Sequence, residues 1–118
     1  MTIKPLPAQI TSKGFIHELV NRSGDVALFK RYQSDASKCH LEVIIVQSHN
    51  GRKIGDTFLE PAEFYPSTSM WGQYGWTYTE GTAGSREEMF RLAQAKFDSL
   101  VEAFKERALG TPPSFSQN

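Results

Sequence analysis

Four β-branched aliphatic residues in a row, Val43, Ile44, Ile45 and Val46 within "HLEVIIVQS", constrain this chain more than any other stretch. Strand side chains alternate between two faces, so Val43 and Ile45 point one way and Ile44 and Val46 the other. Such a run predicts a central strand buried on both sides. A fold built around it needs cover for two apolar faces.

The flanking segments supply neighbours for that strand. "GFIHELVN" alternates Phe15, His17 and Leu19 against Ile16, Glu18 and Val20, as a strand does. "NRSGD" has the composition of a tight turn, so "VALFKRY" is expected to return as the second arm of a hairpin. "SDASKC" reads as a polar loop. In "HNGR" an Asn-Gly pair separates two strand-like runs, which predicts a type I′ turn and makes "KIGDTFLE" the partner of the central strand. Pro61 and Pro66 interrupt regular structure, and "MWGQYGWTYTE" returns as a fifth strand or a strand pair bent at its glycines.

The C-terminal part reads as a helix. Ser85 and Glu88 form a capping box, and Glu87 and Glu88 suit the positive end of the helix. Phe90, Ala93, Phe97, Leu100, Val101, Phe104 and Ala108 recur at three- and four-residue steps and define one apolar stripe, with Gly110 as the C-terminal cap. The predicted fold is therefore α+β: an antiparallel β-meander of about five strands packed on one C-terminal amphipathic α-helix. Residues 1–14, with Pro5 and Pro7, read as an extended arm, 15–110 as a single domain and 111–118 as a disordered tail. One helix covers one sheet face. The opposite face must be polar or meet another layer, another subunit or a ligand.

Length and composition agree with a self-sufficient domain. A chain of 118 residues buries roughly 65% of its unfolded surface, enough for a core without disulfide or metal staples. Thirteen Lys and Arg balance thirteen Asp and Glu, which removes the simple argument for a polyanionic partner. The balance is uneven along the chain: residues 1–53 hold eight bases and four acids, and the remainder nine acids and five bases. That pattern fits either a bipolar surface or a charge-balanced monomer. A lone Cys39 cannot make an internal disulfide, which suits a reducing, cytoplasmic setting. The N-terminal stretch lacks the apolar segment of a signal peptide, and no apolar run approaches the ~20 residues of a membrane-spanning helix, so no membrane partner is expected.

No catalytic constellation is visible. His17, His40 and His49 lie in three different elements without metal-ligand spacing, so no metal site is predicted. Cys39 and His40 are adjacent in a strand, which sends them to opposite faces and keeps a nucleophile from meeting its base. Glu60 and Glu63 could pair as acid and base, against the plainer reading of two solvated loop carboxylates. With no glycine-rich phosphate loop either, the expectation is no cofactor and no enzyme. An enzyme would need a pocket grouping Glu60, Glu63 or His17.

The segment "EFYPSTSMWGQYGWTY", residues 63–78, rises above this background. One reading makes Trp71, Tyr74, Trp76 and Tyr78 core and edge residues, with Gly72 and Gly75 permitting a bulge. The other displays some of these rings around glycine-exposed backbone as a platform for a protein loop or for unstacked bases. Alternation puts Trp76 and Tyr78 on one face and Trp71, Gln73 and Gly75 on the other, so at least one Trp is expected half exposed.

The run "EFYPSTSMWGQYGWTYTE", with "VALFKRY" and "HLEVIIVQ" before it and an amphipathic helix after it, resembles small accessory proteins of bacteriophages, prophages and plasmids. The resemblance is one of pattern over residues 25–104, and that family has no assigned activity, so it carries no site residues onto this chain. A weaker likeness is to the WGR domain, a β module with a terminal helix that senses DNA ends. Its Trp-Gly-Arg signature would fall on Trp71 and Gly72, but the third position is Gln73, which lacks the charge for a phosphate contact.

These observations predict a non-enzymatic binding module, of the mobile-element accessory kind, that docks a protein partner through an exposed sheet face and its aromatic loop. Tyr65, Trp71, Tyr74 and Trp76 are the candidate contacts. The alternative, from another class, is a nucleic-acid-binding protein with Lys30, Arg31, Arg52 and Lys53 on phosphates and Trp71, Tyr74 or Trp76 stacked on bases. Because the central strand offers apolar groups to both faces, a twofold-symmetric homodimer through the sheet face or edge is also expected.

Overall fold

The structure is a computed structural model and describes residues 3–34 and 38–108. Five antiparallel strands form its main sheet in the order β1, β2, β3, β4, β9: β1 (Gln9–Ser12), β2 (Phe15–Ser23), β3 (Val26–Tyr32), β4 (Cys39–Ile45) and β9 (Gly75–Tyr78). Between β4 and β9 the chain adds β5 (Gln47–His49), β6 (Arg52–Ile54), β7 (Thr57–Leu59) and β8 (Ala62–Phe64). These pair as two small two-stranded sheets, β5 with β8 and β6 with β7. A short helix α1 (Glu80–Ala83) and the long α2 (Arg86–Ala108) complete the described residues. Among the described residues no helix is long and apolar enough to cross a membrane.

The strand "HLEVIIVQ" lies inside the sheet, flanked by β3 and β9, and its neighbours define two apolar layers. On one face Val26, Leu28, Cys39, Leu41 and Val43 meet Met89, Ala93 and Phe97 of α2. The opposite face holds Ala27, Phe29, Ile44 and Val46. It is covered by Leu6, Ile10, Leu19, Tyr65 and Trp71. The apolar side chains that argued for a second subunit are thus covered by the chain's own N-terminal segment and aromatic loop. The sheet face expected to be open is closed at that end and forms a cleft at the other.

Several local expectations change. Residues 9–12 of the expected arm pair with β2 as an edge strand, joined through Lys13 and Gly14, both at positive φ (+52° and +83°) as a type I′ turn requires. The Asn50-Gly51 site is not such a turn, because Gly51 alone there has positive φ and β5 does not pair with β6. "KIGDTFLE" therefore folds back on its own arm as the β6–β7 hairpin instead of joining β4. A bulge between Leu19 and Asn21 leaves Val20 exposed. On α2, Ser85 Oγ accepts from the Glu88 amide at 3.0 Å as predicted, while the Glu88 carboxylate pairs with Arg91. Phe90, expected in the buried stripe, is exposed. Its place is taken by Met89, which is fully buried four residues before Ala93. Gly110 and the expected tail 111–118 lie outside the described residues.

The cover over the second face is clasped by one ion pair. Glu63 on β8 accepts from Arg22 Nη1 and Nη2 at 2.9 and 2.7 Å and from the Leu6 amide at 2.8 Å. Glu63 and Glu60 therefore form no acid/base pair, and Glu60 is exposed. The guanidinium of Arg22 holds the Glu63 carboxyl below its ordinary value of 4.5. A carboxyl depressed in the folded state stabilises above its unfolded pKa, and that gain fades as pH falls through the lower folded value. Glu63→Gln is expected to lower the urea midpoint at pH 7 by the equivalent of about 1 kcal/mol, the upper end for a part-exposed bidentate pair. The gap between variant and parent narrows on acidification from pH 5 downward. A pH-independent gap would show that the ion pair is not its source.

Candidate functional site

The uncovered part of the second face is a cleft of about 720 Å³ between the β1–β2 hairpin and the loop that runs from Tyr65 to Trp71. Its floor is polar. Glu42 sits at mid-strand in β4 with 4% of its surface exposed, in register with Phe29 on β3 and Thr77 on β9. Alternation along these strands aims Glu42, Arg31, His17 and Thr77 at this face and away from α2.

A buried carboxylate needs partners for both oxygens. Glu42 Oε1 accepts from the Tyr65 hydroxyl at 2.5 Å, with His17 Nε2 standing 3.7 Å away. Oε2 accepts from Arg31 Nη1 at 3.2 Å and from the Thr77 hydroxyl at 3.4 Å. Thr77 Oγ1 in turn accepts from Trp71 Nε1 at 2.8 Å, so the aromatic loop is tied to the floor at two points, Tyr65 and Trp71. Burial and the adjacent Glu42 carboxylate push the Tyr65 phenol far above its ordinary value, which keeps it a hydrogen-bond donor and unfit as a base.

Aromatic contacts fix the walls. The Tyr65 ring stands edge-on to Phe29 (5.2 Å between centroids) and to His17 (5.1 Å), and lies nearly parallel to Trp71 at 6.3 Å. Arg31 extends over the Phe15 ring at 4.2 Å. Trp71 in turn lies flat against the backbone of Gly75, where a Cβ would fall 2.5 to 2.8 Å from its ring carbons. Gly75→Ala is therefore expected to swing the indole outward, break its bond to Thr77 and cost about 1–3 kcal/mol. Tryptophan emission should shift to the red, and in a Trp71→Ala background the added methyl group should cost little. Unchanged emission from Gly75→Ala would place the indole elsewhere.

Of the residues expected from the sequence to bind, Tyr65, Trp71 and Arg31 meet in this cleft. The others do not. Trp76 points to the α2 side, where Lys96 Nζ lies 4.2 Å above its ring. Tyr74 lines a separate cavity beside Leu100 and Phe104. Lys30 is on the helix side against Tyr32, and Arg52 and Lys53 are exposed on the β6–β7 hairpin. The basic and aromatic residues of the nucleic-acid reading are thus divided, with Arg31 and Trp71 in the cleft, Lys30 and Trp76 on the helix side, and Arg52 and Lys53 on the β6–β7 hairpin. Both tryptophans are half-buried, in line with the expectation that at least one would be.

Sequence reasoning named His17 only as a conditional member of a pocket and passed over Glu42, Thr77 and Phe15. Glu42 carried a readable signal: an acid inside a strand expected to be buried on both faces must find partners. Thr77 and Phe15 had none, since their role comes from register. Comparison with family models, with curated proteins and with solved structures finds no match to this chain.

Proposed function

We propose that this chain is a non-enzymatic binding module that engages a protein partner in the cleft between its aromatic loop and the β-sheet. The observation that carries the reading is the tying of Tyr65 and Trp71 to a buried Glu42 by hydrogen bonds, which holds two large rings half-exposed at the rim of a concave site. Rings fixed in advance lose little conformational freedom on binding, the property that makes Trp and Tyr frequent anchors in interfaces. On the pattern resemblance alone, such a module would be an accessory protein of a mobile element.

The test is a bait experiment with a cleft-filling variant. Ser67 lies exposed on the rim, so Ser67→Trp should obstruct the cleft without disturbing the core, while Gln94→Trp adds the same ring to the exposed side of α2. A protein retained from bacterial lysate by the parent chain and by Gln94→Trp, and lost with Ser67→Trp, is the expected result. Equal retention by both variants, or none by the parent, overturns the reading.

A further inference from the structure

We infer that the cleft selects a singly charged carboxylate carried beside an aromatic ring, as an acidic residue next to an aromatic one, or a C-terminal aromatic residue, would present it. The inference rests on the proposed role of the cleft as the docking site and adds the chemistry of the group that enters it. It follows from which hydrogen-bonding capacity the floor uses up and which it leaves.

Glu42 supplies the charged acceptors of the floor, and both its oxygens are already engaged by Tyr65, Arg31 and Thr77. Donors are in surplus. Among the described residues Arg31 makes one hydrogen bond, through Nη1, leaving the rest of its guanidinium fork, and Lys13 brings an ammonium from the tip of the β1–β2 hairpin. The hydroxyls of Ser12 and Thr68 add further donors at the rim. Apart from His17, which stands beside Glu42, the charged lining residues are Lys13, Arg31 and Glu42, so two positive groups face one negative and a single anionic group restores the balance. A dianion would place its second charge beside the Glu42 carboxylate without a counter-charge. Phe15, Tyr65 and Trp71 provide the apolar and π surface that a neighbouring ring would cover.

The probes are N-acetyl-L-phenylalanine, its amide, and phenyl phosphate, titrated into the full chain while backbone amide shifts are followed by NMR. The acid is expected to shift Phe15, Arg31 and Thr77 with saturation in the millimolar range, and the amide to bind at least about tenfold more weakly, as loss of a charge-assisted hydrogen bond implies. Lys13→Glu, at an exposed turn, should weaken the acid several-fold and leave the amide unchanged. Equal binding of acid and amide at the cleft would overturn the charge selection while leaving the cleft a binding site. Phenyl phosphate binding more tightly than the acid would overturn the preference for a single charge. No cleft shifts with the acid would overturn the inference outright, and the Ser67→Trp bait experiment would still decide the docking role separately.

Discussion

Glu42→Ala is expected to lower the stability of this chain by about 3–4 kcal/mol, a large share of the 5–15 kcal/mol typical of a domain. The carboxylate is the common acceptor for Tyr65, Arg31 and Thr77, and its removal strands all three donors at once. Tyr65 suffers most, because its phenol is the more enclosed, whereas Arg31 is about a quarter exposed and can turn outward. With a urea m-value of about 1.5 kcal/mol/M the midpoint falls by about 2 M. Glu42→Gln keeps one acceptor oxygen, for Tyr65, but removes the charge facing Arg31 and turns an amide NH2 toward the Arg31 and Thr77 donors, so about 2 kcal/mol is expected. Equal losses in the two variants would mean that the charged oxygen facing Arg31, not the bond from Tyr65, holds the cluster together.

What the sequence disclosed and what it hid divide along a physical line. The run from Val43 to Val46 and the stripe of α2 are periodic signals, and both led to the right elements because burial of a whole face enforces them. The stripe from Ala93 to Phe104 faces the sheet as expected, and only its first member was misplaced, with Met89 buried where Phe90 was expected. Strand β1 escaped notice because its turn uses Lys13-Gly14 in place of the usual Asn-Gly, and because the prolines before it suggested an unpaired arm. The reverse error occurred at Asn50-Gly51, where a good local signal was overridden by the pairing of β5 with β8. For the site, the aromatic segment stood out in composition. The grouping of Glu42 with His17, Arg31 and Thr77 draws on four strands and so depends on register, which local patterns do not carry.

Truncation of Phe29 tests how the core and the cleft depend on one another. Its side chain is 1% exposed beneath Tyr65, and Phe29→Ala is expected to cost about 3–5 kcal/mol, through the lost apolar contacts and the cavity left behind. Phe97, 4% exposed on the sheet-facing side of α2, should lose a similar amount on the same change. The two variants part in the cleft. Without the Phe29 ring the Tyr65 ring loses the edge-on contact that seats it, so its hydroxyl should drift from Glu42 and the Thr77 and Phe15 amide signals should move. In Phe97→Ala those signals should stay. Should either alanine variant fail to fold, Phe29→Leu offers the same contrast for about 1–1.5 kcal/mol. A double-mutant cycle makes the dependence quantitative. Tyr65→Phe alone removes the hydroxyl and costs about 1–2 kcal/mol, and if Phe29 is what holds that hydroxyl on Glu42, the combined loss falls short of the sum by about 0.5–1 kcal/mol. Strict additivity would show that Tyr65 keeps its place through Trp71 and His17 alone, and that the helix-distant half of the core supports the cleft without positioning its polar floor.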